Sequence, residues 1–135
     1  MSEQSQNNAK KILIVDSDKF LVGMYSVKFE SHGFEVDSAV SSIDALKKLR
    51  EGKTSDIILL DIVMPDENGI EFLRTVRKES LCPNATIVIL TNETKSSQIE
   101  EAKKLKADGY IVKSTSIPSE VFDEVVKIHT ARNNK

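Results

Sequence analysis

The chain has no tryptophan and only one cysteine, Cys82, among its 135 residues. A single thiol closes no intrachain disulfide, which excludes a disulfide-stapled scaffold and makes a reducing, cytoplasmic compartment the expectation. Cys82 stands beside Pro83 in a polar stretch and reads as a surface-loop thiol rather than a nucleophile. An excess of one charge sign is missing as well: 19 Lys+Arg against 21 Asp+Glu leave a formal net charge of -2. That balance does not supply a broad basic face, so direct nucleic-acid binding is not expected. No apolar run approaches the roughly 20 residues that cross a bilayer, and no membrane partner is expected. Residues 1–9 (MSEQSQNNA) lack a signal peptide's apolar segment and read as a disordered polar head. Residues 132–135 read as a polar tail. Between them, 39% hydrophobic content suits one compact domain over residues 10–131.

What is present is an alternation of two periods. Ile12–Val15, Ile57–Leu60, Thr86–Leu90 and Tyr110–Val112 are short, almost wholly apolar runs, as strands covered on both faces should be. Phe34–Ala39 alternates apolar Phe34 and Val36 with polar Glu35 and Asp37, which fits a less covered edge strand. Helical spacing fills the gaps. Phe20, Met24 and Val27 mark the first helix, Ala45, Leu46 and Leu49 the second, Ile70, Leu73 and Val76 the third. Ile99, Ala102 and Leu105 mark the fourth, and Val121, Val125 and Ile128 the fifth, which starts near Pro118. The first two should stop at Gly33 and Gly52. The fold class is therefore α/β, an open doubly wound (βα)5 parallel sheet of order 2-1-3-4-5, flavodoxin-like in topology. Strands 1 and 3 lie side by side where the winding reverses, and ligands bind beyond the strands' carboxyl ends.

Asp16, Asp61, Thr91 and Lys113 each follow an apolar run directly. Singly, such residues are more often turn formers or helix caps. Together they bring two carboxylates, a hydroxyl and an ammonium to one rim of the sheet. Neighbouring carboxylates repel unless a cation lies between them, and hard oxygen donors favour Mg2+. A lysine and a hydroxyl opposite them offer a positive charge and a donor to phosphoryl oxygens. The chemistry implied is phosphoryl transfer to an aspartate. Neither histidine looks catalytic: His32 and His129 stand at helix ends, where a histidine caps carbonyls or complements the dipole. The lysines of "KKLK", residues 103–106, read as a solvated helix face.

The segments "ILIVDSDKF", "IILLDIVMPDENG", "IVILTN" and "DGYIVKS" resemble, in order and spacing, the receiver domains of two-component response regulators over about residues 10–130. The most specific part is Asp61 followed by Met64-Pro65 and Gly69. The resemblance implies a chemotaxis-receiver-like switch in which Asp61 takes a phosphoryl group from a histidine kinase or histidine phosphotransfer protein. It implies Mg2+ at Asp16, Asp61 and the backbone carbonyl of Val63, with Lys113 pairing the phosphate and Thr91 moving toward it. Tyr110 matches the aromatic switch, and Val63 and Glu93 match positions that tune the lifetime, with apolar Val63 implying slow self-dephosphorylation. No other catalysis is implied. The output is an unknown downstream protein or effector domain, or a phosphorylation-dependent dimer through helix 4, strand 5 and helix 5.

Two departures stand out. Ser17 replaces the family's second acidic residue, which leaves the metal set to be completed by Ser17 through a water or by Asp18; otherwise Asp18 caps the first helix. Ser114 replaces the proline that usually follows the lysine, so a trans Lys113–Ser114 bond is expected. Ser17 also motivates an alternative, a degenerate receiver that binds partners without phosphorylation. A remoter alternative is a haloacid dehalogenase-like phosphatase with Asp16 as nucleophile and Asp18 as acid/base, but Phe20 fits that pattern poorly and Asp61 goes unexplained. A flavin module lacks a phosphate-binding loop after Val15.

Overall fold

The computed structural model describes residues 9–134. The polar head, apart from Ala9, and Lys135 of the tail lie outside the described residues. The elements run β1 (Lys11–Val15), α1 (Lys19–Glu30), β2 (Glu35–Ala39), α2 (Ser42–Arg50), β3 (Ile57–Leu60), α3 (Gly69–Lys78), β4 (Thr86–Thr91), α4 (Ser96–Lys104), β5 (Gly109–Val112) and α5 (Pro118–Asn133). One parallel sheet has the order β2-β1-β3-β4-β5, as the sequence predicts. Gly33 and Gly52, both at positive φ, end α1 and α2. No helix among the described residues is long and apolar enough to cross a membrane.

Because side chains alternate along a strand, the sheet divides its apolar residues between two cores. Leu13, Val15, Ile58, Leu60, Ile87 and Ile89 face α2, α3 and α4. Ile12, Ile14, Ile57, Leu59, Val88 and Leu90 face α1 and α5. α4 buries only Ala102 of its expected Ile99, Ala102 and Leu105 stripe. Polar ties from α3 hold it as well: Arg74 pairs with Glu101 at 2.9 Å, and Arg77 donates to the carbonyls of Leu105 and Lys106 at 2.9 and 3.0 Å.

The structure corrects the sequence reading at several places. α1 packs through Val22, Tyr25 and Phe29, while Phe20 (76% exposed) and Val27 (67%) face outward. Apolar residues surround this helix, so periodicity alone does not choose a face. The choice falls to Tyr25 and Phe29, the latter packing edge-on against Phe34 and Phe122 with centroids 5.2 and 5.0 Å away. His129 is buried rather than set on the helix dipole: its Nδ1 shares a 2.7 Å hydrogen bond with the Thr86 hydroxyl, and Nε2 lies 3.1 Å from the Asn133 amide. α5 runs through Arg132 and Asn133, residues assigned to the tail, and Arg132 pairs with Asp108 at 3.3 Å. His32 does cap, with Nδ1 3.1 Å from the Lys28 carbonyl and its ring stacked on Phe122. Half-buried Cys82 lies in a loop with its sulfur on the Ser55 backbone. Lys103, Lys104 and Lys106 are exposed.

Candidate functional site

Strand register places the site. Val15 pairs with Leu60, so the next residues, Asp16 and Asp61, leave the sheet side by side. Their amides continue the ladder, Asp16 N–H donating to the Ala39 carbonyl at 3.0 Å and Asp61 N–H to the Val15 carbonyl at 2.9 Å. Both carboxylates are buried, at 2% and 6% exposure. From β4, the buried Thr91 hydroxyl donates to Asp61 Oδ1 at 2.5 Å, and the same oxygen accepts the Val63 amide at 3.1 Å. From the end of β5, the Lys113 ammonium bridges the pair, 2.7 Å from Asp16 Oδ2 and 2.8 Å from Asp61 Oδ2. The run-end residues of four strands therefore meet at one point. Lys113–Ser114 is trans, as expected.

Burial, the largest influence, pushes the Asp16 carboxyl above its ordinary range, against the lowering effect of Lys113 and of the Asp18 amide. Burial alone would lower Lys113, but its hydrogen bonds to Asp16 and Asp61 raise it and hold it charged. With Ser17 neutral, two carboxylates and one ammonium leave the cluster one negative charge. A hard cation fits such a site through the Asp16 and Asp61 oxygens and a backbone carbonyl. Among the described residues, no three or more His, Cys, Asp or Glu side chains gather as a metal cluster, so a third carboxylate ligand is lacking. Asp18 caps α1, its Oδ1 accepting the Phe20 and Leu21 amides at 3.1 Å each, and Ser17 is exposed. A cavity of about 280 Å³ opens over the cluster, lined by Asp61, Val63, Asn92, Glu93, Thr94 and Lys113.

Tyr110 is half-buried, and its hydroxyl donates to the Glu93 carbonyl at 2.7 Å. Burial raises its phenol, with the charges of Glu93 and Asp61 adding to the effect. The Glu93 amide in turn donates to the Thr91 hydroxyl at 3.3 Å, so Tyr110, Glu93, Thr91 and Asp61 form one chain of contacts. Sequence reasoning missed three neighbours. Asn92 Oδ1 accepts the Ser114 amide at 2.7 Å and ties the loop after β4 to the turn after Lys113; its place next to Thr91 was the available signal. Tyr25, buried beneath the site, has its phenol raised by burial, with the charges of Lys113, Asp16, Asp18 and Asp61 also acting on it. Asp66, from the loop before α3, accepts the Ser42 and Ile43 amides of α2, a contact no local pattern announces.

An open 2-1-3-4-5 sheet with this cluster at its winding reversal defines a receiver-type domain. Residues 12–124 match the response regulator receiver domain family, and the chain belongs to that family. It is 33% identical over 120 residues to the chemotaxis protein CheY of Thermotoga maritima, covering 88% of this chain and 97% of that one. It is 41% identical over 81 residues to the transcriptional regulatory protein CpxR homolog of Haemophilus influenzae, which is 60% of this chain and 34% of that regulator. The chain thus spans about a third of one relative and nearly all of another. Among solved structures, the CheY-like receiver domain protein of Methanospirillum hungatei has a TM-score of 0.85 at 25% identity, covering 94% and 98% of the two chains. The response regulator TrrA of Thermotoga maritima, in complex with Mg(2+)-BeF, has a TM-score of 0.74 at 31% identity, covering 89% and 98%. The phosphatase and flavin-module alternatives gain no support from these comparisons.

Proposed function

We propose that Asp61 accepts a phosphoryl group in a Mg2+-dependent transfer from a phosphohistidine and that the modified domain presents a changed surface to a downstream partner. The observation that carries this reading is the convergence of an ammonium and a hydroxyl, from two further strands, on one buried carboxylate at the winding reversal. Asp16, Asp61 and the Val63 carbonyl would hold the cation, in keeping with the Mg(2+)-BeF carried by the similar TrrA. Held there, Mg2+ would neutralise charge on the phosphoryl oxygens. An Asp61 oxygen forms the new O–P bond as the P–N bond of the donor breaks, and the departing imidazole nitrogen keeps the electron pair and takes a proton from solvent. Lys113 and the Thr91 hydroxyl then turn from the carboxylate to the phosphoryl oxygens.

The added charge of about -1.5 to -2 draws on the contact chain from Thr91 through Glu93 to Tyr110, so the responsive surface is α4, β5 and α5. That surface would serve a downstream protein, an effector domain or a phosphorylation-dependent dimer. The donor is a protein, a histidine kinase or histidine phosphotransfer protein. In support, Phe20, Val40, Ile43, Val63 and Ile117, all exposed, lie in the loops and first helical turns beyond the strands' carboxyl ends. Apolar Val63 and Glu93 beside the cavity favour slow self-dephosphorylation, which makes this a switch and not a turnover enzyme. A cytoplasmic location fits the donor.

A second reading, a binding module that needs no phosphorylation, draws on Ser17 and on Lys113 already neutralising much of the carboxylate pair. Incubation with a small acyl phosphate and Mg2+, followed by intact mass spectrometry, separates the two. The expected result is a single acid-labile phosphoryl adduct on the wild type and none on Asp61→Asn. Unlabelled wild-type protein, or a labelled Asp61→Asn variant, refutes the assignment.

A further inference from the structure

Residues 61–68, between β3 and α3, carry Asp61 at one end and the Val63 carbonyl close by. This loop is gripped from two sides. On one, the Gly69 amide donates to the Ile62 carbonyl at 2.7 Å. Gly69 lies so close beneath the loop that a Cβ there would sit 2.5 Å from the Asp61 carbonyl oxygen. On the other side stands the first turn of α2. The Ser42 and Ile43 amides have no acceptor within their own helix, and they donate to Asp66 Oδ1 at 3.3 Å and Oδ2 at 3.0 Å. The wholly buried Ser42 hydroxyl adds a 3.1 Å hydrogen bond to the Glu67 carbonyl.

α2 already has its own cap, because Ser41 Oγ accepts the Asp44 amide at 3.1 Å. Asp66 is thus a second acceptor, reaching in from another element and using both oxygens. Desolvation would raise its carboxyl, but the backbone amides, Ile43 first and then Ser42, hold it below the ordinary range. An exposed loop carboxylate held this way links two pieces of backbone. It joins α2 to the segment that presents the Val63 carbonyl.

We propose that Asp66 is a positioning residue: docked on the first turn of α2, it fixes residues 62–68 so that the Val63 carbonyl is presented beside Asp16 and Asp61, and so lowers the Mg2+ concentration that phosphorylation needs. The proposal rests on the phosphoacceptor reading above. Without this tie, the loop backbone must be ordered when the cation binds, and apparent affinity falls.

The test compares Asp66→Ala, Asp66→Asn and Ser41→Ala with the wild type. Ser41→Ala removes the helix's own cap and leaves the loop contacts alone. Two quantities are read: the Mg2+ concentration for half-maximal labelling by an acyl phosphate, and the hydrogen-exchange rate of the Gly69 amide without metal. Asp66→Ala should raise the Mg2+ requirement several-fold, up to about tenfold, the low end for groups that orient metal ligands. It should also speed Gly69 exchange. Asp66→Asn, which retains one acceptor oxygen, should recover part of both effects, and Ser41→Ala should change neither. The proposal is overturned if Asp66→Ala matches the wild type in both quantities, or if Ser41→Ala shifts them equally, since the effect is then ordinary helix capping. If the wild type takes no label while Gly69 exchange responds to Asp66→Ala alone, the phosphoacceptor reading fails and the loop anchor stands.

Discussion

Lys113→Met tests the electrostatics of the site most directly. Methionine keeps much of the apolar stem and removes the ammonium 2.7 Å from Asp16 and 2.8 Å from Asp61. Two buried carboxylates then share the site with no cation between them. Removing one partner of a buried ion pair costs about 3–5 kcal/mol. Protonation limits the damage, because placing a proton at pH 7 on a carboxyl with an ordinary pKa near 3.9 costs about 4 kcal/mol. The expected loss of folding stability in the metal-free protein is therefore about 3–4 kcal/mol.

The same reasoning fixes the pH dependence. Burial already raises the Asp16 carboxyl, and Lys113 opposes that rise, so removing Lys113 raises it further. A carboxyl raised in the folded state binds more protons folded than unfolded between the two pKa values. Stability relative to wild type therefore recovers as pH falls from neutrality toward the unfolded value, by up to about 1.4 kcal/mol per unit. Mg2+ held as proposed would replace the lost charge and should stabilise Lys113→Met more than wild type; at ten times its Kd it would contribute about 1.4 kcal/mol. Urea unfolding followed by far-ultraviolet circular dichroism, at neutral and mildly acidic pH with and without Mg2+, measures all three effects. A variant as stable as wild type, with the same pH profile and the same Mg2+ response, would show that the bridge does not hold the site together.

Ser17→Asp should tighten Mg2+ binding about tenfold, or about 1.4 kcal/mol, by calorimetric titration, because it supplies a third carboxylate. Asp18→Ala should cost about 1 kcal/mol of stability through loss of the α1 cap and leave that titration unchanged; abolished binding would make Asp18 a ligand. His129 has its imidazole pushed below the usual value, first by burial and then by Lys10, so the folded state favours its neutral form. Its contribution is complete above the unfolded value of 6.5 and is lost as pH falls toward the lowered folded value, at up to about 1.4 kcal/mol per unit. Thermal melts of His129→Gln should lack this acid-side decline, and an unchanged decline would assign it to other groups.

The site was legible because a parallel sheet converts position along the chain into position in space. Each of Asp16, Asp61, Thr91 and Lys113 stands at or directly beyond the end of an apolar run, and strands that run one way put such residues on one rim. Contacts between distant segments gave no such sign. Asp66 reaches α2 across 24 residues, and His129 meets Thr86 across 43. Nothing in the local pattern of either residue differs from a turn acid or a helix-end histidine. The face of α1 was misread for another reason: its apolar residues surround the axis, so the space available to Tyr25 and Phe29 decided the packing.

Ser17 was legible as a departure, but its consequence depends on the Lys113 bridge. One ammonium shared by two carboxylates leaves a single negative charge, whereas an acid at position 17 would add a second. Each further negative charge beside the cluster makes the site without a cation less stable and cation binding more favourable, by less at an exposed position such as 17 than at a buried one. With serine there, the resting cluster is closer to electrical closure, with Lys113 on both aspartates and Thr91 on Asp61. A divalent cation held as proposed would compete with Lys113 for the carboxylate oxygens of Asp16 and Asp61. With Mg2+ held as proposed, a missing ligand and a bridging lysine would each lower its affinity, and Ser17→Asp and Lys113→Met address the two separately.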